Sequence, residues 1–180
     1  MNRVLSKNNL LSYLLILGVT IPAVYSTKPA YSQVGLTPLE LFYSGNRGDN
    51  YTTATDIGRR SAIDAGYGLS RVEGCVFLRQ QPGTVPLLLY YSYQREDNFT
   101  TATTTGVSDA IAAGYVFGRV EGYVYPTQQP GTVPLRLYYS YQRGDNFTAA
   151  TTTGMNDAIG AGYIIGRVEG YVYPASRCSQ

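Results

Sequence analysis

Between Leu87 and about Tyr93 the side chains follow the two-residue period of a strand with one buried face. Related segments begin at Leu39 and Leu135, and comparing them separates the faces. Position 88 is Leu88 in one segment, Glu40 or Arg136 in the others, so that face must tolerate water. By the same period Phe42, Tyr90 and Tyr138 share the outer face, whereas Leu87, Leu89 and Tyr91 point to a core. A turn, Gln94 to Asn98, leads into a β-branched and aromatic return strand, Phe99 to Ala102. Gly48 and Gly144 stand where the middle segment has Glu96, which suggests that this slot does not need a positive φ.

The period then changes. Thr103 to Thr105 supply hydroxyl caps, Gly106 to Ala113 read as a short helix, and Gly114 ends it. Ala110 and Ile111, with Ala62/Ile63 and Ala158/Ile159, are the expected buried anchors. A helix of about two turns does not stand alone in water, so it must dock on the strands. Arg119 to Tyr125 form a last strand with Val120 and Val124 on one face, and residues 127–132 link to the next unit.

The whole pattern recurs with a step of 48, as in Pro38/Pro86/Pro134, Asp49/Asp97/Asp145 and Glu73/Glu121/Glu169. The units are 38–85, 86–133 and 134–180. One unit alone exposes strand edges and an apolar face, and three arranged in a ring satisfy both. The expectation is a mainly β fold with one short helix per repeat, a pseudo-threefold β-trefoil-like closed ring. Residues 33–180 form its single domain.

Residues 1–32 read as a signal peptide: Arg3 and Lys7, then the apolar run Leu10 to Val24, then small residues. Cleavage after Ser26 and after Ser32 both fit. The run is too short, and too interrupted by Pro22, for a membrane span, and no span is expected in the mature chain. Removing it leaves eleven of the fourteen bases, all Arg, against twelve acids, a net of −1. No basic field remains for nucleic acid. Export to the extracellular space, periplasm or cell envelope favours oxidised thiols, so Cys75 and Cys178 are expected to pair. The two meet only if the chain's end returns beside the first unit.

Leu-Tyr-Tyr-Ser, Gly-Asp-Asn-Phe-Thr, Ala-Gly-Tyr and Val-Glu-Gly-Tyr-Val-Tyr, in that order, carry a resemblance. It extends from Pro38 to Pro174. The chain resembles an uncharacterised bacterial secreted Tyr/Gly-rich triple-repeat domain with units like "YRLYN…GDHFYTT…AGW…EG…WY". Asn98 stands where that family often has His, and Tyr115 and Tyr123 where Trp is common. Such domains are often appended to cell-wall hydrolases, which implies a binding accessory for glycan.

The chain contains no His, which removes Ser–His and Cys–His nucleophilic pairs and nearly every catalytic zinc arrangement. Carboxylates remain. Glu73, Glu121 and Glu169 each follow an Arg by two residues, which suits a structural ion pair or a backbone contact better than a glycosidase-like acid pair or a ring of acids holding a cation. Arg47-Gly48-Asp49 and Arg143-Gly144-Asp145 spell an adhesion tripeptide, read here as ordinary turn chemistry. Asn50, Asn98 and Asn146 begin formal glycosylation acceptors, also read as turn and strand residues. No catalytic residue, metal or cofactor is expected, and the oligomeric state is open.

The expected ligand sites place an outward aromatic beside a hydroxyl and a polar turn, one per unit. They are Phe42, Ser44, Asp49 and Asn50; Tyr90, Ser92, Asp97 and Asn98; and Tyr138, Ser140, Asp145 and Asn146. The competing expectation is that these rings pack against the helix or the next unit. A secreted non-catalytic glycan-binding module is therefore weighed against a structural or protein-interaction domain of the envelope or matrix.

Overall fold

The structure is a computed structural model that describes residues 35–178. The expected signal peptide, residues 1–32, and its cleavage points lie outside the described residues, which belong to one compact unit. The fold is mainly β, with three α-helices. The first unit contributes β1 (Leu36–Ser44), β2 (Asp49–Thr53), α1 (Asp56–Asp64) and β3 (Gly68–Phe77). The second contributes β4 (Val85–Ser92), β5 (Asp97–Thr101), α2 (Thr104–Ala112) and β6 (Val116–Val124). The third contributes β7 (Val133–Ser140), β8 (Asp145–Ala149), α3 (Thr152–Gly160) and β9 (Ile164–Val172), before a short 3₁₀ turn, Ala175–Arg177.

In each unit the first strand is central and pairs antiparallel with the other two. The strands form a six-stranded sheet in the order β2-β1-β3-β6-β4-β5 and a three-stranded sheet in the order β8-β7-β9. Both sheets are open, so the closed ring expected from the sequence is not present as a continuous hydrogen-bonded barrel. Single pairs join the units instead: Phe77 with Tyr123, Tyr125 with Tyr171, and Cys75 with Tyr173. Beside the last of these, Cys75 is disulfide-bonded to Cys178 with Cα atoms 5.4 Å apart, as the sequence predicts. A link spanning 103 positions contributes about 4–5 kcal/mol in the chain-entropy account.

The central core takes one Leu and one Val from each unit: Leu39, Leu87, Leu135, Val76, Val124 and Val172. Three satellite clusters lie under the helices, and each borrows one Leu from another unit. Leu89 joins Phe42, Tyr51, Ala62 and Tyr67; Leu137 joins Tyr90, Phe99, Ala110 and Tyr115; Leu41 joins Tyr138, Phe147, Ala158 and Tyr163. Burying these shared residues, at about 1.5–3 kcal/mol per large side chain, favours the assembled units over separate ones.

The expected strand register holds at Leu87 and Leu89, which are buried, and fails one residue later. Tyr90 is buried and Tyr91 only half-buried. The pairing of β4 with β6 shifts between Leu87 and Leu88 and again between Leu89 and Tyr90. Such irregularities break strict alternation and turn the following side chains to the other face. Phe42 and Tyr138 are buried for the same reason. Position 88 is half-buried rather than open, and Glu40 there bonds Arg59 at 2.6 Å.

The helix anchors also need correction. Each helix is capped by a Thr hydroxyl that accepts from the N–H of a Gly three residues on, Thr103 with Gly106 at 3.0 Å in α2. The buried face of α2 is Gly106 and Ala110, a small-residue pair four positions apart, so the helix lies close to the strands. Ile111, about 100° further round, is 63% exposed. Val120 is 36% exposed because Glu121 takes the inward position on β6. The turn slot does need a left-handed backbone: φ is 68° at Gly48, 54° at Glu96 and 67° at Gly144.

Candidate functional site

Two sets of three buried carboxylates join the units. Glu73, Glu121 and Glu169 lie on the last strands with the Arg two residues earlier on the same face. Glu121 Oε1 accepts from Arg119 Nε at 2.6 Å. Its Oε2 takes Thr53 Oγ1 at 2.6 Å, Thr55 Oγ1 at 2.9 Å and the Ala54 N–H at 3.1 Å. These donors surround the start of α1 in the preceding unit, where free N–H groups favour an anion. Glu169 makes the equivalent bonds to Thr101, Ala102 and Thr103, and Glu73 to Ala150 and Thr151. Gly58, Gly106 and Gly154 leave the room for this contact. A Cβ on Gly106 would stand 1.9 Å from Thr101 Oγ1, and one on Gly154 2.4 Å from Glu73 Oε1. Each Glu thus makes both the Arg pair and the backbone contact that its spacing suggests.

The second set is Asp49, Asp97 and Asp145, first residues of β2, β5 and β8, where those strands leave the left-handed turns. One oxygen from each lies within 4.8 Å of the others. Each Asp Oδ2 accepts from a Tyr of its own unit, Tyr67, Tyr115 or Tyr163. Each also accepts from an Asn of another unit: Asn98 Nδ2 on Asp49 at 2.9 Å, Asn146 on Asp97 at 2.8 Å, Asn50 on Asp145 at 3.1 Å. Burial pushes all three Asp up to about 7; a neighbouring carboxylate is the next cause of the rise at Asp49 and Asp97, whereas at Asp145 the bond with Asp97 opposes it. Burial and the adjacent Asp push the three Tyr well above their ordinary value, so they remain donors. Arg47, Arg95 and Arg143 stand over those Tyr rings, 5.6–5.8 Å from the centroids. Aspartates and arginines together line a mouth of about 430 Å³.

The third feature is a cleft between neighbouring units. Between the second and third it measures about 460 Å³ and is lined by Arg95, Asp109, Tyr115, Tyr139, Tyr141 and Arg167, among others. Tyr139 and Tyr141 meet edge to face at 4.9 Å, and Tyr141 is 80% exposed. Arg167 bridges Asp109 and Glu169. The matching cleft between the third and first units measures about 240 Å³, and Gly45 takes the position of Tyr141.

All twelve residues of the expected ligand sites are buried. Phe42, Tyr90 and Tyr138 pack against Ala62, Ala110 and Ala158 of the helices, which corrects the outward aromatic platform. Ser92 and Ser140 accept from the Arg95 and Arg143 N–H groups at 3.3 Å and hold the turns. The six Asp and Asn residues do gather, in one shared centre and not in three separate sites. The adhesion tripeptide is not presented, because its Asp49 is 3% exposed. The glycosylation acceptors are likewise buried with their amides engaged. Tyr67, Tyr115 and Tyr163 were not among the expected site residues, although their constant place in Ala-Gly-Tyr marks them.

No curated protein and no solved structure matches the chain. A family model described as a domain of unknown function, DUF5648, matches residues 38–173, the described span almost end to end, and the chain belongs to that family.

Proposed function

We propose that this is a secreted, non-catalytic binding module for cell-surface or extracellular glycan, and that sugar is taken in the clefts between units. The exposed Tyr141, edge to face with the half-buried Tyr139 and beside Arg95, Asp109 and Arg167, carries this reading. Sugars offer C–H faces to aromatic rings and hydroxyls to charged donors and acceptors, and the cleft supplies both. The disulfide suits an oxidising compartment, and among the described residues no helix is long and apolar enough to cross a membrane. We read the three units as one pseudo-threefold, trefoil-like ring joined by single pairs. The domain is residues 33–180, after a signal peptide over 1–32. Repetition would then present similar clefts to one polymer and raise avidity.

A glycan array with the disulfide-bonded protein identifies a probe polysaccharide, which is then titrated against Tyr141→Ala, against Tyr93→Ala (the counterpart one repeat earlier, edge to face with Tyr91 at 4.9 Å) and against the double variant. Both rings are exposed, so the fold should survive. About a tenfold loss in each single variant, and more in the double, is expected. Unchanged affinity, or no glycan bound at all, would favour the structural or protein-interaction reading.

A further inference from the structure

We propose that Asp49, Asp97 and Asp145 form a site for a divalent, oxygen-preferring cation of the calcium class, entered from the mouth lined by Arg47, Arg95 and Arg143. Proximity alone would not establish this. The second observation is the distribution of donors. The Tyr hydroxyls and Asn amides all bond Oδ2, while Asp49 Oδ1 and Asp145 Oδ1 are buried with no hydrogen-bond partner. Asp97 Oδ1 has one long bond, from the Asn146 N–H at 3.3 Å. Residues that are 3% exposed do not leave carboxylate oxygens unpaired without cost.

The spacing suits one ion. Ligand oxygens at about 2.3–2.6 Å from a calcium-sized ion lie at most about 5 Å apart, and the three here fall within 4.8 Å. Charge requires a counterpart as well. Three ionised carboxylates in one buried cluster are costly unless a cation or shared protons offset them. Among the described residues, no ion pair joins the three arginines to these aspartates; Arg47 pairs with Glu96 instead. The arginines lie on the Tyr rings and leave the carboxylates to a smaller, more concentrated charge. Water entering through the mouth would complete the coordination.

The inference is independent of glycan binding, since Tyr141 and its cleft play no part in it. Terbium is the probe, because Tyr67, Tyr115 and Tyr163 touch the ligating carboxylates and would sensitise its luminescence. At pH 8 we expect one terbium per chain, displaced by calcium, and a calcium affinity at least tenfold weaker in Asp97→Asn. A terbium-soaked crystal of the unaltered protein should give an anomalous peak between the three aspartates, a result that does not depend on a variant folding. No stoichiometric ion at pH 8 would mean that shared protons hold the cluster, and the proposal falls. It falls equally if the peak lies elsewhere, or if a folded Asp97→Asn binds as before.

Discussion

The glutamate set and the aspartate set are equally buried and equally repeated, yet they differ in what surrounds them. Each Glu meets a guanidinium and the donor-rich start of a helix, so its charge has a matched partner. Each Asp meets neutral donors, chiefly on Oδ2, and has two other carboxylates within 4.8 Å. Burial alone therefore does not define the chemistry of a carboxylate; the charge facing it does. Both sets cross the unit boundaries, but one matches each charge with an opposite one and the other gathers like charges at one centre.

The sharpest test of that contrast is Glu121→Ala. It strands the half-buried Arg119 and the donors at the start of α1, and should cost about 3–5 kcal/mol, read by denaturant unfolding. Asp97→Asn should act in the opposite direction. In chelator at pH 8 we expect it to stabilise by about 1–3 kcal/mol, because it removes an unmatched charge and keeps an acceptor for Tyr115. The pH profile follows the same logic. The folded pKa of about 7 lies above the ordinary 3.8, so between those values the folded state binds more protons than the unfolded. Stability in chelator should therefore fall as pH rises from about 4 to 7, and Asp97→Asn should flatten the fall. A profile that rises across this window would contradict the assignment.

Smaller effects separate cap from carboxylate. Thr151 Oγ1 accepts from Gly154 N–H and donates to Glu73, so Thr151→Ala should cost about 1–2 kcal/mol, the upper part of the range for a cap. A thermal melt that shows no loss would mean that Glu73 holds the helix unaided. The smallest effect is a gain. Arg71 and Arg167 reach Asp157 and Asp109, but the first unit has Ser61 at the corresponding position, so Arg119 lacks that second ion pair. Ser61→Asp should add about 0.3–1 kcal/mol, and the gain should shrink in high salt.

Much of this was legible in the chain because some signals depend only on neighbours. Glu121 two residues after Arg119 on a strand must share its face, so the ion pair follows from spacing. The 48-residue step aligned the three units without a gap, and Cys75 with Cys178 required the chain's end to return to the first unit, as it does. Tyr90 was placed on the wrong face because pairing shifts on either side of Leu88–Leu89 leave no mark in composition. Ile111 misled because burial on so short a helix was decided by fit: Gly106 and Ala110 allow an approach that Ile does not. Asp97 read as a turn residue, which it also is. Its second role exists only where three turns converge, and no single unit encodes that.

The direction of the glutamate bonds has a consequence for ancestry. Glu121 of the second unit holds the first unit's helix, Glu169 of the third holds the second's, and Glu73 of the first holds the third's. Every unit thus gives one carboxylate to a predecessor and receives one from a successor. Such a head-to-tail contact closes only when the rotation between copies allows it, and between these three units the cycle of glutamate bonds does close. A lone 48-residue peptide with the second unit's sequence carries both halves of that contact. It should assemble as a homotrimer at sufficient concentration, and gene triplication would then have replaced association with covalent linkage.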